Sequence, residues 1–307
     1  CGTALGGRSL AAVGQDPPDV NWDIFRSGTP EQVQAEITRL SKDGGLEARD
    51  INGWTPLMLA AGSNSNPEVI SALLKAGAKL EEKSPDRITP LLAAGLNPSS
   101  EVTTALLKAG ADVKARDIYG ATPLMYAANF NLSSKVITAL LKAGADVKAR
   151  NEKGSTPLML AAAFNSSPEI ITALLKADAE LEARDLAGLT PLMIAARQNS
   201  NPEVITALLK AGADLEARHS IGWTPLMFSA ATNSSPKVIS VLIKAGADLE
   251  ARNEKGWTPL ICSAAVNPSS EVITALLLAG AGLEAKAENG WTPLMFSAAT
   301  NSSPKVI

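Results

Sequence analysis

The chain has 307 residues, with 28 lysines and arginines against 31 aspartates and glutamates, so its formal net charge is −3. This balance argues against nucleic-acid or anionic-membrane binding by bulk charge, which needs lysine and arginine in clustered excess. Apolar residues make up 46% of the chain and aromatic residues only 4%, so we expect a core of alanine, leucine, valine and isoleucine.

The first 19 residues run from Cys1 through a glycine-containing stretch to Pro17-Pro18 and are interpreted as a flexible tether. This start resembles the mature end of a bacterial lipoprotein, whose first residue is a diacylated cysteine followed by a polar linker. The resemblance implies a lipid on Cys1, membrane contact only through that lipid, and a location in the cell envelope or outside the cell. The alternative is an arbitrary chain boundary at Cys1 and a cytoplasmic protein.

Residues 20–49 are predicted to form an N-terminal capping repeat of two helices. The first helix is expected within Val20–Phe25. Thr29-Pro30-Glu31 then supplies an N-cap, a first-turn proline and an acid near the positive end of the helix dipole, and the second helix should run to about Ser41.

An internal repeat dominates the rest of the chain. The triplet Thr-Pro-Leu recurs every 34 residues, once after 33, starting at Thr55, Thr89, Thr122, Thr156, Thr190, Thr224, Thr258 and Thr292. Each unit continues with Met-x-Ala-Ala, an asparagine, and a second apolar segment that ends in Leu-Leu-Lys-Ala-Gly-Ala. These motifs resemble the ankyrin repeat, and eight copies in phase make the resemblance specific.

The resemblance implies an all-α solenoid of paired antiparallel helices with β-hairpin-like fingers between the pairs. Seven repeats are expected over residues 50–286, and an incomplete eighth over residues 287–307. Because no single unit can bury both helix faces, stacking on the neighbouring units should supply the stability.

Local signals predict where each helix begins and ends. Thr55 and its equivalents should cap the first helix, with the following proline at its first position. Asn64 and its equivalents should end that helix in a left-handed conformation. Ser167-Pro168-Glu169 is typical of a second-helix start, and glycines such as Gly77 should end that helix.

Two units depart from the pattern. Ser84–Ile88 lacks the finger glycine, so we expect a locally distorted finger there, followed by a shortened first helix. Asp178 replaces the glycine that ends the second helix in other units, and aspartate should tolerate the left-handed conformation with some strain.

Charged residues form two rows, two positions apart within each finger. We interpret both rows as solvated edge charge, worth about 0–1 kcal/mol per pair. The acidic row is Glu47, Glu81, Glu182, Glu216, Glu250 and Glu284, and the basic row is Arg49, Arg116, Arg150, Arg184, Arg218 and Arg252.

Nothing in the sequence predicts catalysis, a metal site or a cofactor. The only histidine is His219, and Cys262 lies in an apolar helical pattern typical of a small buried residue. The methionine after most Thr-Pro-Leu triplets is better explained by packing than by copper binding. Asparagines in formal glycosylation motifs, such as Asn165, recur where no motif follows, which favours a backbone role.

The aromatic residues are the best candidates for partner contact. In ankyrin proteins the residue before Thr-Pro faces the concave groove, so the resemblance predicts a protein-binding surface there, with packing as the alternative. The candidates are Trp54, Trp223, Trp257 and Trp291, followed by Phe130 and Phe164 near the ends of their first helices.

The sequence therefore predicts a non-enzymatic scaffold that binds a protein partner of unknown identity through its concave face. The alternative is a structural protein that self-assembles head to tail into a filament. It rests on an apolar surface expected at Leu294, Phe296, Val306 and Ile307, where no polar capping helix follows.

Overall fold

The computed structural model describes residues 20–40, 45–131, 133–267 and 269–300. It divides into two compact units, residues 1–118 and 119–307, called unit 1 and unit 2 below. Within the described ranges the protein consists of helices and turns, with no β-strand.

Helices in unit 1 form three consecutive pairs, and a single 3-10 turn at Gly45–Glu47 follows the first pair. The helices are α1 (Trp22–Ser27), α2 (Pro30–Leu40), α3 (Pro56–Ser63), α4 (Pro67–Lys75), α5 (Pro90–Ala94) and α6 (Ser100–Lys108). The first pair lies where the sequence predicts two helices.

Helices in unit 2 follow the same alternation of a first and a second helix. They are α7 (Pro123–Phe130), α8 (Ser134–Lys142), α9 (Pro157–Phe164), α10 (Pro168–Lys176), α11 (Pro191–Gln198), α12 (Pro202–Lys210), α13 (Pro225–Thr232), α14 (Pro236–Lys244), α15 (Pro259–Val266), α16 (Ser270–Leu278) and α17 (Pro293–Thr300).

From α3 onward, each first helix begins as the sequence predicts. The threonine hydroxyl accepts a hydrogen bond from the backbone N–H three residues later, as in Thr156 with Met159 at 3.3 Å and Thr258 with Ile261 at 3.4 Å. The proline occupies the first helical position, where its missing N–H leaves no bond unmade.

Helices stack in two layers inside each unit. First helices pack on first helices, as α9 on α11 and α11 on α13, and second helices pack on second helices, as α10 on α12. The first helices are buried on most sides, and five of the six methionines are buried within them, as the packing interpretation predicts. Met295 on α17 is the exposed exception.

The asparagines that end α3, α7, α9, α11, α13 and α15 do not have the left-handed conformation predicted for them. Asn165 ends α9 with φ −84° and ψ 132°, which is extended rather than left-handed. Its buried amide donates to the carbonyl oxygens of Ala128 at 2.9 Å and Asn131 at 2.7 Å in the preceding repeat, while its Oδ1 accepts from the N–H of Ser167. Asn199, Asn233 and Asn267 make the same three bonds, so this asparagine ladder joins successive repeats.

Second helices end as predicted but do not all start as predicted. Gly77 has φ 97°, and the next N–H, that of Ala78, donates back to Leu73 O at 3.0 Å, which closes the helix. Ser167 precedes α10, yet its hydroxyl makes no capping bond. It donates to the Glu169 carboxylate at 2.6 Å instead, and this bond lowers the pKa of Glu169.

The fingers are tight turns rather than hairpins with a strand ladder. In the first, the N–H of Asp50 donates to Trp54 O at 3.0 Å and that of Gly53 to Asp50 O at 2.8 Å. The finger without a glycine is not distorted, contrary to expectation. Its equivalent bonds are the same lengths, because Arg87 adopts the left-handed conformation with φ 60° in the glycine's place.

Charged residues in the fingers are exposed or half-buried, as the prediction of solvated edge charge requires, but they also join neighbouring repeats, which that prediction did not include. Arg184 Nη1 donates to Gly188 O at 2.8 Å in its own repeat and to Arg218 O at 3.0 Å in the next. Glu182 Oε1 accepts from the N–H of Asp214 at 3.0 Å, also in the next repeat. These bonds fix the spacing of the fingers and therefore the positions of the residues before each Thr-Pro.

Candidate partner-binding face

Along its first helices and fingers, unit 2 presents exposed and half-buried side chains, with a few buried ones such as Ala163 and Leu189 between them. We call this the first-helix face and define it by three positions in each repeat: the finger tip, the residue before Thr-Pro, and the last two residues of the first helix. The last two residues of each first helix lie three and four positions after a residue such as Phe228 on α13. Residues at these spacings share one side of a helix.

Trp223 is half-buried at the base of its finger. Its ring lies 5.1 Å from that of Phe228 on α13, centroid to centroid, and His219 meets the same phenylalanine edge-on at 5.7 Å. Beneath them lies an apolar cluster that includes Met193 and Ile194 of α11. The tryptophan therefore packs with one side and leaves the other for solvent or a partner.

Trp257 and Trp291 share one packing partner. Both rings lie 5.1 Å from the ring of Phe296, which is held between them and is only 7% exposed. The prediction that Phe296 lies on an open apolar surface is therefore wrong, because the tryptophans of two successive fingers cover it. Leu294 on the same helix is 57% exposed, as that prediction requires.

Trp54 occupies the equivalent position in unit 1. Its ring lies over α3, since a Cβ added at Gly62 would lie 3.3 Å from its Cζ3. The contact of Trp54 with Gly62 shows that a tryptophan before Thr-Pro packs on the exposed side of its own first helix.

Phe130 and Phe164 project from the ends of α7 and α9. They are 50% and 57% exposed, and Phe130 contacts Tyr126 with ring centroids 6.1 Å apart. Both lie on the first-helix face with the tryptophans of unit 2, but among the described residues no ring contact joins them to those tryptophans.

Sequence reasoning missed several exposed residues of this face. Leu186 at a finger tip is 80% exposed, and Tyr119, Ile221 and Val266 are exposed as well. Arg197, near the end of α11, is exposed and charged. Alignment of the seven fingers that have a glycine would have found the tips, because some carry an apolar residue where others carry a charged one.

The face offers recognition rather than acid–base or metal chemistry. Among the described residues no group of three or more histidines, cysteines, aspartates or glutamates could hold a metal ion. His219 Nε2 donates to Ala187 O at 2.6 Å, so the ring links two neighbouring fingers. Cys262 is buried, and burial raises the pKa of its thiol to about 12. Asn165, in a formal glycosylation motif, is buried within the asparagine ladder.

Three residues named from the sequence, Cys1, Val306 and Ile307, lie outside the described residues, so their lipidation and self-association remain predictions. Among the helices of the described ranges, none is both long and apolar enough to cross a membrane.

Comparison with known proteins identifies the repeat. The family model described as ankyrin repeats (3 copies) matches seven overlapping stretches, at residues 27–117, 57–151, 91–185, 124–219, 158–253, 192–287 and 226–307. The chain belongs to the ankyrin-repeat family. A comparison with curated proteins found no match.

One similar solved structure is the crystal structure of the human ASB11 ankyrin repeat domain. It shares 27% sequence identity with this chain at a TM-score of 0.65, and the match covers 75% of this chain and 99% of that one. Ankyrin-repeat domains are typically non-enzymatic scaffolds for protein–protein interaction, and no catalytic family is identified here.

Proposed function

We propose that this ankyrin-repeat chain is a non-enzymatic scaffold that binds a protein partner through the first-helix face of unit 2. One observation carries the proposal: half-buried or exposed aromatic rings occupy this face from Phe130 to Trp291, and all of the candidates in unit 2 except Phe164 pack against another ring. Large aromatic side chains that are already ordered lose little entropy on binding, and such residues dominate interface energetics.

The experiment uses the whole chain as bait in an extract of its native host, with cross-linking to trap partners. Each captured protein is then purified and its Kd measured against the wild type, Trp223→Ala and Phe164→Ala. Loss of about 1–4 kcal/mol of binding free energy in either variant supports the proposal. Lys210→Glu, on the second-helix side of the same unit, is the control and should leave the Kd unchanged.

Thermal unfolding of each variant separates binding from packing. If Trp223→Ala lowers the melting temperature sharply while the Kd stays at the wild-type value, the tryptophan serves packing alone. If every captured protein binds all the variants equally, the proposed face is wrong.

A second candidate function is end-to-end association, favoured by the exposure of Leu294 and Met295 on α17. The facing surface of another copy would have to be apolar as well, but α2 exposes Glu31, Gln32 and Gln34. Sedimentation velocity at tens of micromolar tests it: growth with concentration that Leu294→Asp abolishes would support association. A concentration-independent monomer would exclude it.

A further inference from the structure

The fingers of unit 2 differ in the chemistry of their tips. The fingers at residues 151–155 and 253–257 carry the same exposed pair of charges, Glu152-Lys153 and Glu254-Lys255. The two fingers between them carry Leu186 and Ile221 instead, both exposed. An apolar centre is therefore bordered on each side by charged, solvated tips, the arrangement that characterises a binding hot spot and its rim.

Hydrogen bonds hold this centre in one geometry. The N–H of Leu186 donates to Lys153 O at 3.0 Å, and the N–H of Glu254 donates to Ile221 O at 3.3 Å. His219 Nε2 joins the two central fingers through Ala187 O. Each tip is thus bonded to the next, so a partner would not have to order the loops on binding.

Arg197 is the one charged residue at the described ends of the first helices of unit 2. Arg197 is exposed on α11, one turn beyond Ile194, which belongs to the cluster beneath Trp223. It forms no ion pair with any described residue. The other residues at the ends of the first helices of unit 2 are uncharged: Asn129, Phe130, Ala163, Phe164, Gln198, Ala231, Thr232, Ala265, Val266, Ala299 and Thr300.

We infer that the partner's contact segment carries apolar side chains that dock on Leu186, Ile221 and Trp223, together with a carboxylate that pairs with Arg197. The inference rests on the proposed function and names the chemistry of the partner. An arginine next to apolar surface that loses its water on binding can hold a carboxylate in a bidentate geometry, and it disfavours a basic segment by repulsion.

Neighbouring first helices are about 8–10 Å apart, which sets the spacing of the partner's apolar side chains. At about 3.3 Å per residue, two anchors on adjacent fingers would be three residues apart in an extended segment. We therefore expect apolar residues at positions i and i+3 with an acidic residue near them.

The test is a selection of random 16-residue displayed peptides on the whole chain, followed by Kd measurements for each enriched peptide. Enriched peptides should carry acidic and apolar residues. Arg197→Glu and Leu186→Ser should each weaken binding by at least about threefold, whereas the matched charge reversal Lys210→Glu should not. Peptides in which the acidic residue is changed to lysine should bind Arg197→Glu better than the wild type.

The outcomes separate the inference from the proposed function. Peptides that ignore Arg197→Glu and Leu186→Ser but lose affinity for Phe130→Ala or Trp257→Ala would overturn the inference and leave the proposed function standing. Peptides insensitive to all of these variants, or a selection that enriches nothing, would overturn both. Circular dichroism melts confirm that each variant is folded. If Leu186→Ser is unstable, the peptide whose acidic residue is changed to lysine still tests the pairing with Arg197.

Discussion

Two side chains occupy backbone conformations that favour glycine. Arg87 has φ 60° and Asp178 has φ 68°. Asp178 has an ion-pair partner in the preceding repeat, because Lys148 Nζ lies 2.6 Å from its carboxylate, and the hydrogen bond between them lowers the pKa of Asp178. Arg87 adopts its conformation because the finger closes there with the same two backbone bonds as fingers that have glycine.

Replacing Arg87 with glycine should therefore stabilise unit 1. A residue other than glycine costs about 1–2 kcal/mol in the left-handed conformation. Glycine removes this cost, but its greater conformational freedom in the unfolded chain offsets part of the benefit. We therefore expect the free energy of unfolding to rise by about 1 kcal/mol. Urea unfolding measures it. Arg87→Ala keeps the Cβ and is the control; equal stability of the two variants would show that the turn carries no strain.

The asparagine ladder explains why one residue type ends the first helices. Asn165→Ala would leave the carbonyls of Ala128 and Asn131 without their donor and the N–H of Ser167 without its acceptor. Because unsatisfied buried polar groups cost about 1–3 kcal/mol each, we expect a loss of roughly 2–4 kcal/mol in the free energy of unfolding. Chemical denaturation measures the loss, and a value near that of the exposed neighbour variant Ser166→Ala would contradict the role.

At the scale of the helix, some of the first helices bury a polar side chain where other first helices have alanine. Ser229 on α13 and Ser263 on α15 are fully buried, and their hydroxyls have no hydrogen-bond partner in the described structure. Ala127, Ala161 and Ala195 occupy the same position in earlier repeats. The two hydroxyls have lost their water without gaining a bond.

Ser229→Ala and Ser263→Ala should therefore each raise the stability of unit 2 by about 1 kcal/mol. The reciprocal change, Ala195→Ser on α11, should lower it by a similar amount. Denaturant midpoints at constant m-value provide the measurement. A destabilising Ser→Ala change would mean that the hydroxyls bind an internal water.

At the scale of the whole molecule, stability comes from contacts between successive repeats. The asparagine, arginine and glutamate bonds each reach a residue more than 30 positions away. The stability of stacked repeats is approximately the sum of a term for each repeat and a term for each contact between neighbours. A side chain buried between repeats should therefore become accessible when the repeats around it unfold locally.

Cys262 is such a side chain. Its thiol pKa rises from 9.0 to about 12 on burial, so at pH 8 we expect almost no reaction with a thiol reagent until urea opens α15. Peptide mapping after labelling gives the extent at Cys262. A cysteine introduced at exposed Ser166 should react at once, and equal rates at the two sites would contradict the burial of Cys262.

The same shift has a consequence for pH. The native thiol keeps its proton above the pH at which the unfolded thiol loses it, so stability should fall as pH rises from 9.0 toward about 12. Urea midpoints measured across that pH range should fall less steeply for Cys262→Ala than for the wild type, because the variant has no thiol to titrate. An unchanged slope would assign the decline to other groups.

The sequence by itself determined the elements and their order. A threonine hydroxyl reaches an N–H three residues later, and a glycine ends a helix through its own φ, so these signals are complete within one repeat. The 34-residue period then required stacking, because each pair of helices leaves an apolar face uncovered. The tryptophans were predicted as contact candidates on other grounds, because in the ankyrin proteins that the sequence resembles the residue before Thr-Pro faces the concave groove.

Only the tertiary structure decided the roles that depend on the neighbouring repeat. Asn165 was predicted to act through its own backbone and Arg184 as a solvated charge, but both bond to carbonyls of an adjacent repeat. Phe296 was expected to be open, yet two tryptophans cover it, one of them from the previous finger. Ala128, Arg218 and Trp257 each lie at least 34 residues from the residue that they contact, so no local pattern contains these contacts.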